Sequence, residues 1–518
     1  MKRWIAFVRV FGFLAIGGAI LAGITHVLAE PKGEIWAVGT GMDLVYKYKN
    51  QYDVLTIGTS TVIENINNQE LYEQYGIASV CIGEPEQPMY FSRYTLEDAL
   101  RVQKPQVVLI DTKALFYTDE WNSKRATEVT DYLGHTSIDQ IKSYDLKAKA
   151  LDRFEEFSGP VDRWDYFSTL YYSHGNWKNL TKNHFCSPDL TICMNGNVAD
   201  YNMAAGGHDA DDYTQGPEED SVKDLIAMIE LCREKGAEPV LVTSYTTGSK
   251  SFHEDAQAIA DKMQVSYVDM NDHINEIGLQ LNTDLCDSVH LNLAGSIKWT
   301  DYLGEWLKQN YSFEDRRMNS RYRRYENQRE AYAAMKDHMD TALRFIRCLD
   351  LYSYLREIVD LNLSEYTVCI SVFHPEGLKI SEESRDLLKE IGLQINDDHA
   401  LENNYAAILT ENGVLESCEK ELAARLTGNV GKNTYTIVSG KEGDADASSI
   451  NINGYEFMQK GPGLNIVIFN NKLGYVLSTV YYDISLSPDP FTRKRNMVNV
   501  TEARTLIEMD TNIWTEQG

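Results

Sequence analysis

The chain has 518 residues, enough for roughly three or four ordinary domains or two large ones. Its 49 Lys and Arg against 77 Asp and Glu give a net charge of −28, which argues against nucleic acid as a partner because phosphate contacts need a basic surface. A hydrophobic content of 43% with 11% aromatic residues is enough to build folded cores and excludes a wholly disordered chain.

The N-terminal segment, residues 1–30, joins a basic head to an apolar stretch. Three basic residues lie within the first nine positions, and Val10 to Thr25 carries no charge. As a helix this run spans roughly 24 Å, and extension to Ala29 brings it close to a hydrocarbon core of about 30 Å. Two interpretations stay open: a single-pass signal anchor, or a signal peptide cleaved after Ala29. Both place the body of the protein outside the cytoplasm, at the cell membrane or secreted.

Residues 31–312 alternate short apolar runs with helical patterns. The runs predicted as strands are 53–57, 79–82, 105–110, 238–243 and 265–269. Continuous apolar strands separated by helices predict an α/β domain of three layers, with a parallel sheet covered by helices on both faces. Ligands of such sheets bind at the carboxyl ends of the strands. Residues 120–220 are predicted to form a long, partly helical insertion near that edge.

The C-terminal half predicts a second unit behind a linker. Residues 313–362 read as a charged helical linker whose six arginines between positions 316 and 329 are expected on a solvated helix face. Residues 363–486 read as a smaller mixed α/β domain. The strands predicted in this domain are 366–372, 405–409, 449–452, 464–469 and 476–481, with a helix at 381–391. Residues 487–518 form a polar tail to which the sequence assigns no structure.

Eight cysteines are present, and none has the spacing of a zinc site. Cys186 and Cys193 flank a turn-like segment, and in an oxidising compartment they are candidates to form a disulfide. The other cysteines are scattered, several within apolar runs where a buried free thiol is the usual state. Disulfides are therefore not expected to organise the fold.

Two short motifs contain candidate catalytic residues. Gly58-Thr-Ser60-Thr directly follows the first predicted strand, and Asp287-Ser-Val-His290 comes near the end of the same domain. A serine that attacks a carbonyl must lose its proton, which an imidazole can accept while a carboxylate orients the imidazole ring. The motifs therefore predict a nucleophile, a base and an orienting acid. Phosphate binding at the first motif is the weaker alternative, because the lysine and second glycine of a P-loop are missing.

These residues, with the segments Tyr75–Pro88 and Leu100–Ile110, resemble the SGNH/GDSL hydrolase superfamily. The match is best to its membrane-anchored bacterial branch, which is similar to the D-alanyl-lipoteichoic acid and alginate O-acetylation proteins. The resemblance implies that Ser60 is the nucleophile, His290 the base and Asp287 the orienter. It further implies that the N–H groups of Ser60 and Gly83 face the oxyanion. No metal and no organic cofactor is needed.

The sequence departs from the superfamily at two positions. Thr59 stands where an aspartate or serine usually precedes the nucleophile. The asparagine block of the secreted esterases is absent, because Ile110-Asp-Thr-Lys113 follows the third strand. One expected oxyanion donor is thereby missing, which fits a polymer acyltransferase better than an efficient free esterase.

The second unit resembles the interleukin-like EMT inducer domain. The resemblance is carried by the segments 366–372, 449–455, 463–469 and 474–483. It implies a small β-rich fold with flanking helices, which serves some relatives as a glycan-binding module. The sequence shows no Ser/His/Asp set in this unit.

Two functions follow as expectations. The first is a cell-surface serine-dependent O-acyltransferase or acylesterase that acts on an envelope glycopolymer, supplied by a membrane acyl-donor protein. The alternative is a catalytically inactive SGNH-like protein that binds glycans or acts as a scaffold in the cell envelope.

Overall fold

The computed structural model describes residues 2–28, 40–117, 138, 140–167, 170, 174–178, 180, 216–245, 250–281, 283–285, 289–348, 350–373, 380–394, 403–440, 448–459 and 463–482. The α-helices are α1 (Lys2–Leu28), α2 (Thr40–Lys47), α3 (Ser60–Asn65), α4 (Asn68–Tyr75), α5 (Met89–Ala99), α6 (Tyr144–Ser158), α7 (Arg163–Phe167), α8 (Glu219–Lys235), α9 (Lys250–Met263), α10 (Ile274–Ile277), α11 (Leu293–Asn310), α12 (Arg323–Ile346), α13 (Leu351–Val359) and α14 (Glu382–Ile391). The strands are β1 (Val54–Ile57), β2 (Ser79–Cys81), β3 (Val107–Asp111), β4 (Glu238–Thr243), β5 (Ser266–Asp269), β6 (Tyr366–Phe373), β7 (Asn404–Thr410), β8 (Gly413–Glu419), β9 (Ala424–Val430), β10 (Asn433–Ser439), β11 (Ser449–Ile452), β12 (Tyr455–Glu456), β13 (Gly463–Asn470) and β14 (Tyr475–Tyr482).

The first unit is built on a parallel sheet in the order β2-β1-β3-β4-β5. Alternate side chains of its strands enter two separate cores. Leu55, Val108 and Leu241 pack against helices that include α5 and α8, whereas Val54, Val107 and Val240 pack against α4 and α11. The predicted three layers, with helices on both faces of a parallel sheet, are therefore confirmed.

Helix α12 joins the two units. It is packed against both of them, whereas the sequence predicts a solvated linker. Its first half packs on α4 and α11, and its last turns enter the core of the second unit through Ala342 and Phe345. Arg324 is only 5% exposed. Its guanidinium lies within 5.3 Å of the ring centres of Tyr48, Tyr52, Tyr322 and Tyr325. This arginine stabilises the packing by cation–π contact, and the pattern of charges alone does not distinguish it from its exposed neighbours.

The second unit contains two antiparallel sheets and helices, in agreement with the predicted mixed α/β domain. The sheets contain more strands than the sequence predicts. One has the order β14-β13-β6-β7-β8 and the other the order β12-β11-β10-β9. Helices α13 and α14 cover the first sheet through Leu355, Ile358 and Leu388. The second sheet packs on its other face through residues such as Tyr435 and Ile450.

The N-terminal helix α1 is long and apolar enough over Val8–Leu28 to cross a membrane, by length and composition, and none of this span is buried against the rest of the described chain. A signal sequence has the same properties, so both interpretations of this segment stay open. Five cysteines in the described ranges are free thiols, namely Cys81, Cys232, Cys348, Cys369 and Cys418. Cys186, Cys193 and the tail 487–518 lie outside the described residues.

Candidate active site

Ser60 lies at the carboxyl end of β1, on the edge of the sheet where the sequence predicts a reactive site. The strand ends at Ile57, Gly58 and Thr59 turn the chain, and Ser60 is the first residue of α3. A Cβ atom on residue 58 would come within 2.2 Å of the Asp111 Cβ atom, so glycine is required for the turn to approach β3 this closely. The Ser60 residue itself remains partly exposed to solvent.

A buried carboxylate at the end of β3 fixes the turn that carries Ser60. Asp111 is 1% exposed, and its Oδ2 atom accepts hydrogen bonds from the Thr59 N–H at 3.2 Å and the Thr59 hydroxyl at 2.9 Å. The same oxygen accepts a third hydrogen bond, from the Thr61 hydroxyl at 3.0 Å. Because these donors come from both sides of Ser60, the carboxylate holds the serine backbone in one position against the sheet.

His290 brings an imidazole to the Ser60 hydroxyl across 230 positions of sequence. The His290 Nε2 atom lies 2.7 Å from the Ser60 Oγ atom, the separation expected when a hydroxyl donates to an imidazole nitrogen. The next residue, Leu291, donates its N–H to the Asn65 Oδ1 atom at 2.8 Å. Asn65 is the last residue of α3, so the helix that begins with the candidate nucleophile also anchors the loop that supplies the base.

Further contacts close the His290 loop at its base. Leu285 and Leu291 form an antiparallel bridge, and the Asn292 N–H donates to the Asp284 carbonyl at 3.0 Å. Asn292 then caps α11 by accepting a hydrogen bond from the Gly295 N–H at 3.1 Å. The predicted orienting acid, Asp287, lies outside the described residues, so its contact with His290 stays a prediction.

The predicted oxyanion donors, the N–H groups of Ser60 and Gly83, belong to loops that pack on each other. The Glu84 N–H donates to the Gly58 carbonyl oxygen at 3.1 Å, and a Cβ atom on residue 83 would come within 2.7 Å of that oxygen. Within the described part of the chain, neither the Ser60 nor the Gly83 N–H donates a hydrogen bond. Both are therefore open to a carbonyl oxygen that gains negative charge.

The sequence does not predict a functional role for Asp111 or Asn65, which hold these side chains in place. The segment Ile110–Lys113 stands out in the sequence only for its missing asparagine. A signal for Asp111 does exist, because it is the single charged residue of the strand VVLID and stands at its carboxyl end. Asn65 has no comparable signal, since an asparagine at a helix end is commonly a local cap.

A second imidazole–carboxylate pair lies at the carboxyl end of β5. The His253 Nδ1 atom is hydrogen-bonded to the Asp269 Oδ2 atom. This bond raises the pKa of His253 above its usual range, against the opposing effect of burial. Burial acts to raise the pKa of Asp269, but the hydrogen bonds from His253 and Asn271 outweigh it and the pKa is lowered. Asn271 and Ser244 connect the pair to the Thr61 carbonyl through hydrogen bonds of 3.2 and 3.4 Å.

The His253–Asp269 pair is expected to stabilise the fold most at mildly acidic pH. A raised histidine pKa stabilises the folded state below the unfolded-state value, and this contribution is lost as the pH rises through the folded-state value. The lowered pKa of Asp269 adds stability that is lost only in acid. Replacing His253 with glutamine should therefore lower the free energy of unfolding more at about pH 5.5 than at about pH 9, by on the order of 1 kcal/mol.

Chemical denaturation of both proteins at the two pH values measures this difference. His273→Gln is the matched control, because within the described part of the chain the His273 ring is hydrogen-bonded to the exposed Glu276 at 2.9 Å, and loss of such an exposed pair should cost little. Equal destabilisation of His253→Gln at both pH values would show that the imidazole is not charged in the folded state.

Comparison with known proteins found no family model that matches the chain and no curated protein that matches it. Among the residues that the structure describes, no three His, Cys, Asp or Glu side chains are grouped so that they would hold a metal ion. The contacts of Ser60, His290 and the two open amides therefore define the chemistry of the candidate site.

Proposed function

We propose that the chain is a cell-surface serine enzyme that transfers or removes an acyl group on an envelope glycopolymer. The observation that carries this proposal is the 2.7 Å separation between the Ser60 Oγ and His290 Nε2 atoms. A hydroxyl paired with an imidazole, beside open backbone amides, is the arrangement by which serine enzymes form acyl-enzymes. Its place at the carboxyl edge of a parallel sheet agrees with where such folds bind ligands.

In the proposed reaction the Ser60 oxygen attacks the carbonyl carbon of an acyl ester while His290 Nε2 takes the hydroxyl proton. The N–H groups of Ser60 and Gly83 donate to the carbonyl oxygen as it becomes an oxyanion. The donor's ester bond then breaks, and its leaving oxygen takes the proton from His290. In the second half, water or a sugar hydroxyl gives a proton to His290 and attacks the Ser60 ester, which releases the acid or the acylated sugar and restores the serine.

Two features support a substrate in the cell envelope. The apolar span of α1 follows basic residues, which supports a body outside the cytoplasm, either as a single-pass protein or secreted if the chain is cleaved after Ala29. Anchoring beside a bilayer suits a membrane acyl-donor protein as partner. The second unit, through its resemblance to interleukin-like EMT inducer domains, supports binding of a polysaccharide. The net charge of −28 gives no support to a nucleic-acid partner.

One observation favours a second function, which is glycan binding or scaffolding without catalysis. At the end of β3, Asp111 accepts hydrogen bonds where the secreted esterases that the sequence resembles carry an asparagine block. An oxyanion at this site would have two backbone donors, and removal of one such donor costs about 10²- to 10³-fold in rate. An SGNH-like scaffold weakened in this way suits a protein that holds envelope polysaccharide.

A serine-reactive fluorophosphonate probe separates the two functions. The full chain, purified in detergent, should be labelled, and the variant Ser60→Ala should not. Ser364→Ala is the control, because the exposed Ser364 hydroxyl donates to the Asn362 Oδ1 atom at 2.8 Å and has no imidazole partner, so labelling should persist. Absence of labelling on the folded wild-type chain would favour the binding function.

A further inference from the structure

We propose that the short helix His174–Lys178, with the adjoining Leu180, contacts the surface of the bilayer that holds α1 and so orients the candidate active site towards the membrane. The proposal goes beyond acyl transfer and rests on the proposed membrane location of α1. The helix His174–Lys178 lies beside α1. Because α1 is the candidate membrane span, a segment in contact with it lies within reach of the bilayer surface.

The apolar side chains of this segment are exposed to solvent. Trp177 is 63% exposed and Leu180 is 40% exposed. The Lys178 ammonium lies 5.8 Å from the centre of the Trp177 ring. Tryptophan is enriched at membrane–water interfaces, where its ring meets the lipid and its N–H meets the headgroups, and a neighbouring lysine can contact the lipid phosphates. The pair therefore has the chemistry of an interfacial anchor.

The charge of the surrounding sequence also favours contact with the bilayer surface. From Tyr166 to Pro188 the chain contains two lysines, two histidines and no Asp or Glu, although the whole chain contains 77 acidic residues. An anionic leaflet repels acidic surfaces and attracts lysines that lie near it. The composition of this segment therefore adds no carboxylates that such a leaflet would repel. An anionic glycan offers the same charge, but a bilayer also accounts for the contact with α1 and for the exposed tryptophan.

Another part of the same insertion, helix α6, packs on the unit that carries the candidate active site. Helix α6 contacts α5, where the Phe91 and Phe154 rings lie 6.0 Å apart. Helix α5 begins shortly after Gly83, whose N–H is a proposed oxyanion donor. A bilayer contact in this insertion would therefore set the orientation of the Ser60 cleft relative to the membrane, as a membrane-borne acyl donor requires.

Quenching of tryptophan fluorescence by brominated lipids tests the proposal. The full chain is reconstituted into vesicles of phosphatidylcholine and phosphatidylglycerol in which part of the lipid carries bromine near the upper end of an acyl chain. Trp177→Phe is expected to lower the fraction of the emission that is quenched, because it removes an interfacial tryptophan. Trp306→Phe is the control, because Trp306 is partly buried against the core of the first unit, and its removal is expected to raise that fraction by removing an emitter that lipid does not reach.

Lys178→Glu provides a second variant, which retains Trp177 and is expected to reduce its quenching by placing a negative charge at the leaflet. If Trp177→Phe raises the quenched fraction as Trp306→Phe does, Trp177 does not touch lipid and the proposal is wrong. Failure of the wild-type chain to float with the vesicles would also overturn it. Neither outcome depends on catalysis, and labelling of Ser60 by the fluorophosphonate probe tests the proposed reaction separately.

Discussion

Replacing His290 with alanine is expected to slow fluorophosphonate labelling of Ser60 by about 10³-fold. The wild-type imidazole lies 2.7 Å from the serine oxygen, and in the proposed mechanism it takes the serine proton as the bond to the probe forms. Without it, the serine must attack as the neutral hydroxyl. Added imidazole should restore part of the rate, because the alanine leaves space beside the Ser60 hydroxyl. The measurement is the second-order rate of labelling with and without imidazole.

The matched control for this prediction is His253→Ala. It removes an imidazole from the same edge of the sheet, but this imidazole is bonded to Asp269 and has no contact with Ser60. Labelling of this variant should stay within a few-fold of the wild-type rate. Labelling of His290→Ala at the wild-type rate would show that His290 is not the base, even though it contacts Ser60.

Replacing Asp111 with alanine is expected to reduce both stability and reactivity. The change removes the acceptor of the Thr59 and Lys113 N–H groups and of two hydroxyls, of which one can still donate to the other, and it should lower the free energy of unfolding by about 3 kcal/mol. The turn then holds Ser60 less accurately, and a misplacement of about 1 Å is enough to slow labelling about 10²-fold. Denaturation and labelling of the same preparation measure the two effects.

Asp98→Ala separates a loss of stability from a loss of positioning. Asp98 is also buried, and it accepts hydrogen bonds from the Tyr46 hydroxyl at 2.7 Å and the Lys142 N–H at 2.6 Å. Its loss should destabilise the fold by a similar amount while the folded fraction is still labelled at the wild-type rate. If Asp111→Ala shows the same pattern as Asp98→Ala, the carboxylate supports the fold and does not position Ser60.

The parallel sheet could be predicted from the sequence because its strands are buried on both faces. In β3 and β4 every position except the first of β4 is buried, so the apolar runs are continuous and their neighbours are helices. The predicted strand 238–243 has the same bounds as β4. Boundaries elsewhere differ by one or two residues, since Pro105 and Gln106 lead into β3 without joining it.

Four strands of the second unit were not predicted, and one of them, β12, has only two residues. β8, β9 and β10 carry polar residues on a face that is partly or largely exposed, and short sequences such as ARLTGNV show no continuous apolar run. Their pairing is set by neighbouring strands, for example β10 against β9 and β11. Strand formation that depends on partners distant in sequence leaves a weak local signal.

The residues of the candidate site likewise include some that the sequence predicts and some that it does not. Ser60 and His290 could be predicted because the chemistry of acyl transfer demands their side-chain types, and each stands in a short motif. The roles of Asp111 and Asn65 could not, although Asp111 stands out as the single charged residue of its strand, because both side chains accept hydrogen bonds from residues that only the fold brings near. Arg324 illustrates the general reason: an arginine inside a charged segment is expected in solvent, and only tertiary contacts with tyrosines reveal that it is buried.

The most direct test of the central claim is to map the site of fluorophosphonate attachment by mass spectrometry of the digested full chain. The account predicts a single phosphonate adduct on the peptide that contains Ser60, strongly reduced at the same exposure time in His290→Ala. Attachment to a different serine, or a folded wild-type chain that carries no adduct, would contradict it.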